Sequence, residues 1–132
     1  FDWNCSRSII PRFDREYLRE LGEAYQAKFD GREAELQAEI AGCDCLLIDG
    51  TCWRDDELIQ LGLAGKTSRE MGHLPIDGPG GSLAQLPPLG VRRTIFIHMN
   101  NTNPILLADT PERRIVEDRG MEVAMDGLEV QV

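Results

Sequence analysis

The chain is poor in the residues that mark nucleic-acid-binding and membrane-spanning proteins. It has 14 Lys and Arg against 23 Asp and Glu in 132 residues, a formal net charge of −9, and a surface of that sign repels phosphate backbones. No apolar run approaches the roughly 20 residues needed to cross a bilayer. Aromatic residues make up only 6% of the chain, against 42% hydrophobic residues in all. The sequence therefore predicts a single domain with an aliphatic core and neither nucleic acid nor a membrane as a partner.

Cysteine is also scarce, with four residues in the chain. Cys43 and Cys45 border the apolar run Leu46-Leu47-Ile48, and their one-residue spacing lacks the longer spacer that favours a shared zinc ion. We expect these two to be buried structural thiols that stay reduced in the cytoplasm. The chain begins at Phe1 rather than at Met, so we expect it to be a piece of a longer product.

Hydrophobic spacing predicts alternating helices and strands. Amphipathic helices are expected over 14–29, 33–40, 55–63, 82–86 and 110–119, with Asp14, Ser82 and Thr110 as N-caps and with Leu58, Ile59 and Leu61 facing inward. Buried strands are expected at Cys43–Asp49 and Arg92–His98, and a last strand or hairpin within 121–132. Helices that alternate with buried strands in this way are typical of an α/β fold.

Three groups able to bind a metal or move protons follow or separate the predicted strands. Asp49 and His98 stand at strand ends, and His73 lies in a glycine-rich segment between them. In α/β sheets, active sites lie in the loops beyond the carboxyl ends of the strands. Ordinary structural roles remain open on the residues alone, because a strand-end His can bind a carbonyl, a loop His can orient its loop and an Asp before Gly can form a turn.

The loop after the second strand is rich in asparagine. Asn100 and Asn101 are good turn residues, and amides beside a metal ligand can also hold a polar substrate. Other familiar motifs are absent from the sequence. Gly78–Gly81 lacks the preceding strand and the following Lys-Ser/Thr of a phosphate-binding loop, and there is no Gly-x-Ser-x-Gly nucleophile motif.

Four ordered segments closely resemble the C-terminal part of the PqqB family of coenzyme PQQ synthesis proteins. They are Leu46–Glu57, Lys66–His73, Gly78–Ser82 and Ile95–Ile105, and the last contains the unusual run His-Met-Asn-Asn-Thr-Asn-Pro. The resemblance implies that residues 36–132 are the C-terminal half of a metallo-β-lactamase-like αββα sandwich. Residues 1–35 are then an unmatched lead-in with an amphipathic helix.

The resemblance also implies roles for particular residues. His98 is similar to a metal-ligand histidine, His73 and Asp49 to catalytic residues beside the metal, and Asn100 and Asn101 to residues that border the substrate. The implied cofactor is iron(II) or zinc. The Asp-His metal motif of the family's first half has no counterpart here, so the resemblance implies an incomplete site.

The activity implied by the resemblance lies in the biosynthesis of pyrroloquinoline quinone (PQQ). The expected chemistry is metal-dependent tyrosine hydroxylation of a peptide-derived Glu–Tyr precursor, or else transport of PQQ or its precursor toward the periplasm. The alternative is a noncatalytic α/β binding or assembly fragment that lacks the metal-binding half. In either case half a sandwich leaves a sheet face uncovered, so a homodimer is expected.

Overall fold

The computed structural model describes residues 32–131, and burial is described for 34–131. The helix predicted over 14–29, its cap Asp14 and the N-terminal residue Cys5 lie outside this range. None of the helices within it combines the length and the apolar character that a membrane-crossing helix requires.

In the described part of the chain, three parallel strands form a sheet in the order β1 (Cys45–Asp49), β2 (Arg93–Ile97) and β3 (Glu122–Val123). In the register of β1 with β2, Asp49 is level with Ile97, and the Gly50 N–H donates to the Ile97 carbonyl at 2.7 Å. The loops that follow β1 and β2 therefore leave the same edge of the sheet side by side. This arrangement confirms the α/β prediction and brings both candidate loops together.

Within residues 32–131, four α-helices connect and flank the strands: α1 (Arg32–Ala41), α2 (Glu57–Gln60), α3 (Ser82–Gln85) and α4 (Pro111–Asp118). Short 3₁₀ turns lie at Arg69–Met71, Pro87–Leu89 and Pro104–Leu106. Helix α4 begins as the sequence predicts. The Thr110 hydroxyl accepts the Arg113 N–H at 3.3 Å, and proline occupies the first turn, where its missing N–H costs nothing.

One face of the sheet carries the main hydrophobic core. The core side chains come from the strands, the loops and the helices: Ile40, Leu46, Trp53, Ile76, Leu83, Leu86, Phe96, Ile105, Val116, Met121 and Val123. Because side chains alternate along a strand, Leu47 lies on the opposite face, where it is only half-buried. The prediction that β1 is buried on both faces therefore holds for its first residues and weakens toward its end. Cys43 and Cys45 are buried thiols, as expected.

Helix α2 differs most from its prediction. It spans Glu57–Gln60 instead of 55–63, and the inward placement of Ile59 and Leu61 is wrong, since they are 40% and 55% exposed. Glu57 is buried in their place. The physical reason is that Glu57 accepts the backbone N–H groups of Trp53 and Arg54 in the loop before the helix, and these hydrogen bonds set which side of the helix faces the protein.

Two smaller predictions are also corrected. The N-cap of α3 is Gly81 and not Ser82. Ser82 is the first residue of the helix, and no side-chain hydrogen bond caps this helix. The hairpin considered for 121–132 does not form among the described residues. Instead β3 pairs in parallel with β2, where Arg93 binds both carboxylate oxygens of Glu122 at 2.6 and 2.9 Å.

Candidate functional site

A hydrogen-bonded group of three side chains stands at the carboxyl end of β1. His73 Nδ1 lies 3.0 Å from Asp49 Oδ2, and the Thr51 hydroxyl lies 2.7 Å from Asp49 Oδ1 and 3.1 Å from His73 Nδ1. The His73 and Asp49 side chains are 39% and 30% exposed. The group is therefore preorganised by the protein and still reachable from solvent.

The carboxylate decides how the imidazole is oriented. Since a carboxylate only accepts hydrogen bonds, His73 donates Nδ1–H to Asp49, and Nε2 carries the lone pair of the neutral ring. An imidazole held in this way can bind a metal or accept a proton at Nε2. The hydrogen bond to Asp49 raises the pKa of His73 above its ordinary value, while burial of the ring acts in the opposite direction.

Backbone contacts fix the loop that carries His73. The His73 N–H donates to the Ser68 carbonyl at 2.9 Å, and the Ser68 hydroxyl donates to the His73 carbonyl at 3.0 Å. Gly72, just before it, has a φ of 90°, a conformation that costs glycine little because it has no Cβ. The Gly-His pair thus combines a left-handed turn with a side chain aimed at Asp49.

His98 joins this group through its backbone. Its carbonyl accepts the Thr51 hydroxyl at 3.1 Å, while its side chain is exposed. Its φ is 57°, which is uncommon for a residue with a Cβ and tends to occur at functional sites. Within residues 32–131, no three or more His, Cys, Asp and Glu side chains are placed to hold a metal ion together.

The asparagines of the loop after β2 fall into different environments. The half-buried Asn100 donates its backbone N–H to the Thr51 carbonyl at 3.0 Å, whereas Asn101 is exposed. Asn103 is only 2% exposed. Its Nδ2 donates to the Gly50 carbonyl at 2.7 Å and its Oδ1 accepts the Ile105 N–H at 3.1 Å, so it fastens this loop to the turn after β1.

Sequence reasoning missed two residues of the site, Thr51 and Glu57. Thr51 carried a weak signal, as a hydroxyl two residues after a strand-end Asp can bind that carboxylate. Glu57 carried a weak signal too, because an acidic side chain can reach back to accept the backbone N–H three residues before it, as Glu57 does with Arg54 in the loop before the helix. Neither signal indicates burial or a contact with the distant loop after β2.

Cys52, which lies beside the site, is not set up as a nucleophile. It is 1% exposed, and burial raises its pKa, although a hydrogen bond with Ser68 acts in the opposite direction. A raised pKa keeps the sulfur in the unreactive thiol form.

The Asp49–His73 contact predicts a measurable pKa change. In the metal-free chain we expect His73 to titrate above 6.5, and Asp49→Asn should lower that pKa because the acceptor charge is lost. A raised folded-state pKa means that the pair stabilises the fold fully below pH 6.5, and that this contribution disappears as the pH rises through the folded-state pKa. NMR titration of the His73 ring protons measures the shift.

Asp55→Asn is the matched control for this titration. Asp55 accepts the Arg69 N–H at 2.9 Å and does not contact His73 in the described structure, so its loss should leave the His73 pKa in place. Equal His73 pKa values in the unaltered and Asp49→Asn chains would contradict the assignment of Asp49 as the cause.

Comparison with known proteins identifies relatives of this site and fold. The model of the β-lactamase superfamily domain matches residues 26–99. Coenzyme PQQ synthesis protein B of Pseudomonas putida (strain W619) is 47% identical over 118 residues, which cover 89% of this chain and 39% of that protein. The Xanthomonas oryzae pv. oryzae (strain MAFF 311018) protein of the same name is 50% identical over 95 residues, 72% of this chain and 32% of that protein.

A solved structure is similar as well. The 1.98 Å crystal structure of Zn²⁺-bound PqqB from Methylobacterium extorquens superposes with a TM-score of 0.71 at 47% identity, and the match covers 74% of this chain and 35% of that one. The chain therefore spans well under half the length of the relatives that it matches.

Proposed function

This chain belongs to the β-lactamase superfamily, and we propose that it acts in PQQ biosynthesis as the C-terminal half of a PqqB-type metallo-β-lactamase-like domain. The match to coenzyme PQQ synthesis protein B, which covers 89% of this chain, supports the proposal. The observation that carries the proposal is the Asp49–His73 pair, 3.0 Å apart at the carboxyl end of β1. This pair lies beside the loop that begins at His98.

The reaction we propose is the metal-dependent hydroxylation of the tyrosine in a peptide-derived Glu–Tyr precursor, in which dioxygen supplies the new hydroxyl oxygen and an external two-electron reductant takes the other oxygen atom to water. His73 would accept or return a proton at Nε2, while Asp49 holds its Nδ1–H and stabilises the protonated ring. Asn100 and Asn101 would hold polar groups of the substrate. A proton-transfer pair supports chemistry rather than the carriage of PQQ toward the periplasm, which needs no such pair.

The donor chemistry fits a metal in part. Imidazole nitrogen and carboxylate oxygen are ligands that both iron and zinc accept, and we propose His98 as one ligand. Since residues 32–131 hold no group of three or more such side chains, the remaining ligands would come from outside this range. A bound metal with open positions would supply the activation of oxygen and of the phenol.

A chimera tests this proposal in a full-length context. The matching segment of the Pseudomonas putida W619 protein is replaced by this chain and expressed in a strain that lacks its own copy. We expect PQQ production, and we expect His98→Ala to abolish it. The same substitution should weaken iron or zinc binding by at least about 10- to 100-fold, which is the cost of losing even an outer hydrogen-bond partner of a metal ligand. PQQ is measured by mass spectrometry and metal by elemental analysis of the purified chimera.

Arg92→Ala is the control, because Arg92 is an exposed residue just before β2, at the opposite end of that strand from His98. It should leave both readouts unchanged. Retained metal and retained PQQ production in His98→Ala would reject His98 as a ligand. An inactive, metal-free chimera would favour the competing interpretation, a noncatalytic binding or assembly module.

A further inference from the structure

A buried carboxylate connects the two loops of the site. Glu57 is 9% exposed. Its Oε2 accepts the backbone N–H groups of Trp53 at 2.6 Å and of Arg54 at 3.4 Å, in the loop after β1. Its Oε1 accepts the Thr102 hydroxyl at 2.6 Å, in the loop after β2. Glu57 is thus placed to set the position of one loop relative to the other.

The contacts of Glu57 also fix the direction of a chain of hydrogen bonds. A carboxylate only accepts, so the single hydroxyl proton of Thr102 is committed to Glu57. The Thr102 oxygen therefore acts as the acceptor in its 2.7 Å contact with Asn100 Nδ2. Asn100 consequently turns its N–H group toward Thr102, and its Oδ1 is left as the acceptor of the amide.

From this series of hydrogen bonds we infer that Glu57 is a positioning residue. It orients the side-chain amide of Asn100 so that the amide oxygen Oδ1 faces the bound molecule. The group recognised at this point is then a hydrogen-bond donor, such as an N–H or a phenolic O–H, and not an acceptor. The inference rests on the proposed function in taking Asn100 as a substrate contact. The backbone N–H of Asn100 donates to the Thr51 carbonyl, so the backbone of Asn100 lies next to the loop that carries Thr51, a member of the Asp49–His73 group.

The Glu57→Gln substitution reverses the donor and acceptor roles in this series of hydrogen bonds without changing the size of the side chain. The new amide oxygen would accept from the Trp53 N–H, and its NH₂ group would donate to Thr102. The Thr102 proton would then go to Asn100 Oδ1, and the Asn100 amide would turn around. In NMR spectra of the ¹⁵N-labelled 132-residue chain, we expect solvent exchange of the bonded Asn100 Nδ2 proton to accelerate on the order of tenfold, the scale of one lost hydrogen bond.

Two substitutions at Thr102 serve as matched variants in case Glu57→Gln does not fold. Thr102→Val removes the acceptor and should accelerate the exchange of the Asn100 proton, whereas Thr102→Ser keeps the hydroxyl and should leave its exchange slow. If the Asn100 Nδ2 proton exchanges with solvent equally slowly in the unaltered, Glu57→Gln and Thr102→Val chains, the proposed relay, the series of hydrogen bonds from Glu57 through Thr102 to Asn100, is overturned.

The chimera separates this inference from the proposed function. Where the unmodified chimera makes PQQ, Glu57→Gln should lower production, whereas the control Arg92→Ala, far from this network at the other end of β2, should not. Unchanged production in a Glu57→Gln chimera whose Asn100 amide has turned would refute the role in recognition while leaving the proposed function intact. A chimera that makes no PQQ would refute the proposed function, and the exchange measurement would still decide the relay.

Discussion

Replacing Asn103 by alanine is expected to lower the free energy of unfolding by about 2–4 kcal/mol. Asn103 is 2% exposed, and its amide pairs with both the Gly50 carbonyl and the Ile105 N–H. Alanine would leave these two buried backbone groups without their partner, and each such group costs about 1–3 kcal/mol. Urea denaturation of the 132-residue chain, followed by circular dichroism, measures the loss.

Asn101→Ala is the matched control, since Asn101 is exposed in the same loop and its loss should change stability by less than about 0.5 kcal/mol. Asn103→Asp adds a sharper comparison, because a carboxylate can still accept the Ile105 N–H but cannot donate to the Gly50 carbonyl. Equal stabilities of Asn103→Ala and Asn101→Ala would show that the loop after β2 does not depend on this anchor.

The same substitution should disturb the candidate site. Gly50 lies between Asp49 and Thr51, two of the three side chains that hydrogen-bond in the group. Without the Asn103 amide, the Gly50 carbonyl loses its hydrogen bond, and the turn that carries Asp49 and Thr51 is less firmly fixed. The anchor therefore couples the stability of the fold to the geometry of the His73 imidazole.

Sequence reasoning succeeded where the signal is local. The apolar runs at β1 and β2 predicted buried strands, and a parallel sheet then places the loops after Asp49 and Ile97 side by side, as their register shows. The Thr110-Pro111 cap of α4 was predicted for the same reason, because the capping side chain and the N–H that it accepts lie three residues apart.

It failed where a distant contact overrides the local pattern. Apolar spacing placed Ile59 and Leu61 inward, yet both are exposed, because Glu57 turns inward to meet the N–H groups of Trp53 and Arg54 and the hydroxyl of Thr102. Nothing in a short window of sequence indicates that a carboxylate and a hydroxyl 45 positions apart will meet. Thr51 was missed for the same reason, since two of its partners, His73 and His98, come from other loops.

The roles of His98, Asn100 and Asn101 stay predictions, because they concern a metal and a substrate, and a pattern of residues does not show which molecule a side chain binds. A chain that spans 39% of a relative supplies only part of any site built between the two halves of a sandwich.

The last prediction concerns Gly81, where substitution by alanine is expected to lower the free energy of unfolding by about 2–3 kcal/mol, the upper part of the range for overpacking. A Cβ at this position would come 2.6 Å from the Ile76 carbonyl oxygen and 2.8 Å from that of Asp77. Both obstacles are backbone atoms, which cannot rotate away as a side chain can. The φ of Gly81 is −73°, so the cost is steric and does not come from backbone conformation.

The strain would reach the site, because the obstructed segment supports it. The Ile76 and Asp77 N–H groups donate to the Cys52 and Trp53 carbonyls at 3.1 and 2.8 Å, in the loop after β1. Gly65→Ala is the control. Apart from its chain neighbours, no atom of residues 32–131 lies within 4 Å of a Cβ there, and its expected change is under about 0.5 kcal/mol. If Gly81→Ala unfolds at the same urea concentration as Gly65→Ala, segment 76–77 can shift without a loss of stability. The position of the loop after β1 would then not depend on that segment.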